Sequence, residues 1–231
     1  MLKINNFFHG QSVNLKKYSY SLKKTNFFFK IFVKDINAYK IPLLGSYEKN
    51  YEYDFSNTDI KKFSKYKNII IIGVGGSALG AKSIFSFFKN KIKKNVFFFD
   101  NLDLSLNAEY KKIKNLNSSC FIVISKSGNT LETLVNLGII FSKKIIKNKL
   151  TIITEIKDSA LMDIASKYGA KIIGHKNYIG GRYSVLSETG MFPAALMGLK
   201  ITKFKNFNNL IKNKNFVKCL IKNVATIYTL N

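Results

Sequence analysis

From Asn68 onward the chain alternates short apolar runs with longer segments of helical spacing. NIIIIG (68–73), NVFFFD (95–100), CFIVIS (120–125), KLTIITE (149–155) and KIIGH (171–175) have the length of buried strands. Between them AKSIFSFFKN (81–90), Asn107–Leu116, LETLVNLGIIFSKKII (131–146) and Asp158–Tyr168 read as helices, the last with Asp158 as candidate N-cap. Strands that alternate with helices of this length build βαβ units on a parallel sheet. The expected fold class is therefore α/β, a doubly wound parallel sheet flanked by helices.

The flanking regions are less regular. Residues 1–65 mix Lys, Asn and aromatic residues without a clean period. A helix is expected around Asn57–Tyr66, where Phe55, Ile60 and Phe63 share a face, and Pro42 and Gly45 mark a loop. FVKCLIKNVATIYTL (216–230) is apolar at helical spacing and reaches Asn231 without a C-terminal cap, as if the polypeptide stopped in mid-helix. The expected division is a mostly helical segment at 1–65 packing on the domain, a sheet domain at 66–200, and a helical segment at 201–231.

With 231 residues and 46% hydrophobic content, the chain can bury a sizeable core. No apolar run reaches the roughly 18 residues of a membrane span, and the N-terminus lacks a signal-peptide pattern. Two cysteines, Cys120 and Cys219, are too few for a disulfide scaffold or a zinc site, which points to a reducing cytoplasm. Cys120, at the head of a strand, reads as a small core residue.

The formal charge of +25 raises the question of nucleic acid. The distribution answers against it. Of 38 basic residues only Arg182 is an arginine, and the lysines are scattered along the whole chain. Surfaces dedicated to nucleic acid favour arginine for its bidentate fork and its stacking. Heavy use of Lys, Asn, Ile and Phe together reads as compositional drift, and the lysines as a solvated surface.

Three constellations could carry chemistry. In an open parallel sheet, ligands bind at the carboxyl ends of strands, where loops lead into helices. The first such loop is Gly73-Val74-Gly75-Gly76-Ser77-Ala78-Leu79-Gly80, directly after a strand. Its glycines allow close backbone approach, and the helix start that follows offers free N–H groups to an anion. It matches neither G-x-G-x-x-G nor the Walker pattern, so an ordinary βα turn stays open. The second is Ser125-Lys126-Ser127-Gly128-Asn129-Thr130-Leu131-Glu132-Thr133. Four hydroxyls crowd a helix start, whereas a cap at Thr130 or Asn129 would need only one. Hydroxyls with backbone N–H groups can wrap a phosphate monoester without a metal.

The third is Ile179-Gly180-Gly181-Arg182-Tyr183-Ser184. Drift toward lysine would erase arginines that lysine can replace, so Arg182 is expected to need its planar, always-charged fork. The plainer alternative is a surface or ion-paired arginine.

In this order and on these loops, the three segments resemble the glucose-6-phosphate isomerase family of the sugar-isomerase (SIS) superfamily. GVGGSALG is similar to the family's first Gly-Gly-Ser loop, SKSGNTLET to its phosphate loop, and IGGRYSVLSETGMFPAAL to a signature segment. The resemblance covers roughly residues 65–200. It implies an SIS-type domain and interconversion of glucose 6-phosphate and fructose 6-phosphate in glycolysis and gluconeogenesis, without metal or redox cofactor. It implies that Gly76 and Ser77 contact the sugar. Ser125, Lys126, Ser127, Gly128, Asn129, Thr130 and Thr133 would form the phosphate site. Arg182, beside Gly181, would stabilise the enediolate near C1 and C2. The complete enzymes of the family form homodimers.

The family's proton-shuttling glutamate, its ring-opening histidine and a C-terminal glutamine/lysine motif find no match here. His175 precedes the glycines and reads as a loop or core histidine, and neither Glu132 nor Glu188 sits where the family's base does. The chain is therefore expected to be the front part of such an enzyme, with the second SIS domain missing. The alternative is a non-catalytic phosphosugar-binding module acting as sensor or regulator.

Overall fold

The computed structural model describes residues 14–38, 40–103, 106–141, 148–205 and 213–230. They fall into two compact units, Ser46–Lys205 and the described parts of Met1–Gly45 with Asn206–Asn231.

The larger unit is built on five parallel strands: β1 (Asn68–Ile72), β2 (Asn95–Phe99), β3 (Ser119–Ile124), β4 (Leu150–Thr154) and β5 (Lys171–Gly174). All five are the apolar runs expected from the sequence. Their order across the sheet is β2-β1-β3-β4-β5. Register runs Ile72 beside Phe99 on one side of β1 and beside Val123 on the other.

Side-chain alternation divides the core between the two faces. Ile69, Ile71, Ile122, Ile124 and Ile153 pack with Phe63, Ala81, Ile84 and Phe192. These come from α3 (Asn57–Ser64), α4 (Gly76–Phe88) and α8 (Glu188–Leu196). Ile70, Ile72, Val123 and Ile152 pack with Leu137, Ile140, Leu161 and Ala165. Those belong to α6 (Leu131–Phe141) and α7 (Ala160–Tyr168). Ile69 to Ile72 are all at 0% exposure. At about 1.5–3 kcal/mol per buried side chain, the interior strands β1 and β3, buried at every position, carry much of the core.

Helix α8 is buried at every position and contains Pro193, so no amphipathic period betrays it in the sequence. Cys120 is fully buried in β3, as expected, and burial pushes its thiol up to about 12. α3 forms as expected, closed by a capping box between Ser56 and Asp59.

Three local expectations change. The helix over Asn107–Leu116 is shorter, α5 (Leu106–Lys111). An extended Asn115 interrupts the run and turns its side chain to the amides of Asn117 and Ser118. Pro42 and Gly45 do not bound a loop but form one helical turn, α2 (Pro42–Gly45), with proline first, where its missing N–H is not needed. Asp158 is not the cap of α7: Ser159 occupies that position and makes no capping bond. The first-turn amides of Ala160 and Leu161 donate instead to Asn129 Oδ1 (2.9 Å) and Gly128 O (3.1 Å), in a loop far upstream. The helix expected over 131–146 is present through Phe141, and 142–147 lie outside the described residues.

In the smaller unit, α1 (Leu15–Asn37) packs with α9 (Lys214–Leu230), and Lys24 Nζ donates to Tyr228 Oη (2.9 Å). The helix expected at 216–230 is thus present. The sequence-based division at 65 and 200 differs from these two units: residues 46–65 belong with the sheet. Among the described residues no helix is long and apolar enough to cross a membrane.

Candidate functional site

Strand order reverses at β1, whose neighbours are β2 on one side and β3 on the other. The loops leaving β1 and β3 therefore part to opposite faces, opening a crevice at the carboxyl edge of the sheet. The glycine loop leaves β1 there, and the hydroxyl loop leaves β3.

In the hydroxyl loop the structure brings three of the four expected hydroxyls together. Ser125 Oγ lies 2.8 Å from Thr130 Oγ1 and 3.5 Å from Ser127 Oγ, and Ser127 Oγ lies 3.5 Å from Thr130 Oγ1. The amide of Gly128 donates to Ser125 Oγ (3.2 Å) and that of Asn129 to Ser127 Oγ (3.3 Å). Gly128 sits at φ +73°, a conformation that glycine adopts freely, and an added Cβ would lie 2.2 Å from Ser159 Oγ.

The other loop residues take different places. Lys126 Nζ donates to Asn177 O (2.6 Å) and lies 3.6 Å from Glu155 Oε1. A hydrogen bond from Lys157, with Lys126 adding its charge, holds the Glu155 carboxyl below its usual range despite partial desolvation. Asn129 caps α7. Thr133 is closed inside α6 at 0% exposure, and its Oγ1 has no hydrogen-bond partner among the described residues.

The glycine loop and the arginine segment are pressed together. Gly181 to Leu186 form a 3-10 helix. A Cβ on Gly76 would lie 2.4–2.7 Å from the carbonyl carbon, oxygen and Cα of Gly181. Only glycine permits that approach. Ser184 Oγ seals the junction, donating toward Gly181 O (2.8 Å) and Gly76 O (3.3 Å). Ser77, next in α4, is half-buried.

Arg182 is exposed at the junction, and no described residue pairs with it in a hydrogen bond or ion pair. With no such partner among the described residues, its guanidinium donors face outward from a backbone held tightly by the glycine junction. His175 is buried just past β5, where its Nδ1 lies 2.9 Å from Lys176 O, and burial lowers its pKa.

Sequence reasoning missed the far side of the arginine segment. Tyr47 Oη donates to Tyr183 O (3.4 Å), Tyr53 Oη to Leu186 O (3.4 Å), and Tyr51 Oη to both carboxylate oxygens of Glu188 (3.0 and 2.9 Å). The available signal was the alternation Tyr51-Glu52-Tyr53 ahead of the first strand, with Tyr47 one turn earlier.

Comparison with known proteins identifies the family. The family described as Phosphoglucose isomerase matches residues 54–226. A glucose-6-phosphate isomerase of Borreliella afzelii is 37% identical over 174 residues, 69% of this chain and 32% of the relative. One from Methanocaldococcus jannaschii is 33% identical over 175 residues, 72% of this chain and 43% of the relative. The chain thus spans less than half the length of these curated relatives. Among solved structures, a glucose-6-phosphate isomerase from Chlamydia trachomatis superposes with TM-score 0.54 at 28% identity, over 65% of this chain and 30% of that one. A hypothetical protein from Thermus thermophilus shares the fold more widely, with TM-score 0.72 at 20% identity over 94% of this chain and 55% of that one. By its matched residues, its parallel sheet and the three loops at that sheet's carboxyl edge, the chain belongs to the phosphoglucose isomerase family.

Proposed function

We propose that the crevice between β1 and β3 binds a hexose 6-phosphate, and that the chain carries the phosphosugar-recognition part of a glucose 6-phosphate/fructose 6-phosphate isomerase. The observation that carries this reading is the Gly76–Gly181 junction. It sets an unpaired Arg182 at the start of α4, on the same sheet edge as the Ser125, Ser127 and Thr130 hydroxyls.

The phosphate goes to the hydroxyl loop, where three O–H groups can turn their hydrogens outward to an anion beside the start of α6. The backbone of Gly76 and Ser77 faces the sugar. Arg182 stabilises the oxyanion that develops as a proton moves between C1 and C2, and a fixed cation there lowers the barrier by differential binding. Lys126 and Asn129, bonded to the scaffold, fix the shape of the loop. Thr133, buried in the first turn of α6 with no hydrogen-bond partner for its hydroxyl among the described residues, is the member of the set left inside the helix.

Calorimetric titration with fructose 6-phosphate beside a coupled isomerase assay tests the reading. Saturable binding is expected. Turnover would assign catalysis to this chain, and binding without turnover would confine its role to recognition. Absence of binding would refute the site.

A further inference from the structure

The arginine segment is gripped from two sides, and only the front grip, on Gly76, belongs to the crevice. The back grip is the segment 47–54, a run of turns and irregular backbone between α2 and α3. Its three tyrosines each donate to a different oxygen of the segment Tyr183–Glu188: two backbone carbonyls and one carboxylate.

Glu188 is the strongest of these anchors. It is fully buried at the first position of α8, where the helix start favours its charge. Besides the two contacts from Tyr51 it accepts from the Asp54 amide (3.2 Å). Asp54 in turn accepts from the Gly174 amide at the end of β5, which ties the strap to the sheet. Below it, Lys205 is 4% exposed. Its ammonium lies 4.1 Å from the ring centre of Tyr51 and 4.4 Å from that of Tyr53, with no hydrogen-bond partner among the described residues. Phe55, which stacks on Tyr53, sits against Phe192 of α8 with ring centres 5.2 Å apart.

A buried carboxylate is costly unless its lone pairs are met, and here they are met by the strap. Packing alone would not require a charge at this point. What the charge adds is direction: hydrogen bonds to an ionised acceptor are stronger and more sharply oriented than neutral ones. Only the five residues 183–187 separate Glu188 from Arg182, and the intervening turn is held by the strap's other two tyrosines.

We propose that Tyr51 and Glu188 are positioning residues for Arg182, setting where its guanidinium stands against the bound phosphosugar, an inference that rests on the phosphosugar reading above. The phosphate is held by a different loop. Loss of the strap should therefore be felt at the sugar and not at the phosphate.

The test titrates the wild-type chain, Tyr51→Phe, Arg182→Lys and the double variant with fructose 6-phosphate and, separately, with inorganic phosphate. Tyr51→Phe keeps the ring over Lys205 and removes only the donor. It should weaken fructose 6-phosphate about 3- to 10-fold, leave inorganic phosphate unchanged, and add no further loss in the Arg182→Lys background. Amide exchange should quicken at Tyr183 and Ser187 but not in β1. Glu188→Gln, which still accepts from Tyr51 and Asp54, should retain more affinity than Glu188→Ala. Wild-type affinity for fructose 6-phosphate in Tyr51→Phe, additive losses in the double variant, or equal loss of inorganic phosphate would each overturn the inference. Failure of the wild-type chain itself to bind fructose 6-phosphate would remove the phosphosugar reading, and this inference with it.

Discussion

The contact between Gly76 and Gly181 is asymmetric, and that asymmetry can be measured. Built onto Gly76, a Cβ would meet three backbone atoms of Gly181 at 2.4–2.7 Å. Built onto Gly181, it would meet only Gly76 Cα, at an ordinary 3.6 Å. Carbon atoms pack at about 3.5–4.0 Å, so Gly76→Ala must drive the two segments apart by about 1 Å. Forcing a methyl group into a packed site costs about 1–3 kcal/mol. The loss of glycine's freedom in the unfolded chain returns about 0.4–1 kcal/mol.

The net destabilisation for Gly76→Ala is then about 1–2 kcal/mol. Gly181→Ala meets no such obstacle, and Gly181 has no left-handed backbone, so it should be neutral or gain up to about 1 kcal/mol. At about 2–4 °C per kcal/mol for a chain of this size, calorimetric melting should place Gly76→Ala about 2–8 °C below wild type. Gly181→Ala should melt at or slightly above it. Equal melting of Gly76→Ala and wild type, or a drop in Gly181→Ala of the same size, would refute the reasoning. Under the proposed function the ~1 Å shift also carries Arg182 away from the sugar, so Gly76→Ala should lose fructose 6-phosphate affinity while keeping inorganic phosphate.

Three further outcomes are expected. Gly128→Ala combines a left-handed backbone with a Cβ 2.2 Å from Ser159 Oγ. It should lower stability by about 2–4 kcal/mol in urea unfolding, with loss of inorganic phosphate binding. Arg182→Lys, at an exposed and unpaired position, should leave the urea midpoint within about 0.5 kcal/mol of wild type. Under the proposed function it should still weaken fructose 6-phosphate and slow any isomerase turnover that the chain shows. Burial lowers the Lys205 ammonium to about 8 even though Glu188 pulls it upward. At Lys205 the folded chain therefore binds fewer protons than the unfolded one between about pH 8 and 10, so the contribution of this group to stability rises with pH there, while the Cys120 thiol, kept protonated by burial, contributes in the opposite direction. The stability of wild type relative to Lys205→Met should therefore increase between about pH 7.5 and pH 9.5 in urea titrations, and an unchanged difference would refute the assignment. Desolvation holds the Tyr51 and Tyr53 phenols far above their usual range, so they stay protonated in this window.

The sheet was legible because a strand buried on both faces must be apolar at every position, and Ile69–Ile72 and Phe121–Ile124 leave little alternative. The hydroxyl and glycine loops were legible because their residue types are unusual wherever they stand. What could not be read depends on partners distant in sequence. The cap of α7 is Asn129, and nothing near Asp158 announces it. Helix α8 is surrounded by protein on all sides and so has no polar face to set a period. The tyrosine strap depends on Tyr51 meeting Glu188, 137 positions later. That Lys126 and Asn129 would turn toward the scaffold, and Thr133 inward, was equally invisible, since composition gives a residue's chemistry and not its direction.

The cap that Asn129 places on α7 bears on the entropy of binding. Through it, the amide of Leu161 on Gly128 O and that of Glu155 on Lys126 O (3.1 Å each), the hydroxyl loop is bonded into the connection between β4 and α7. It cannot change shape without uncapping a helix. A loop so tethered has surrendered its conformational freedom during folding, so an arriving anion is not charged for ordering it. Under the proposed function, an anion at this edge of the sheet would meet a loop already fixed in shape by the fold.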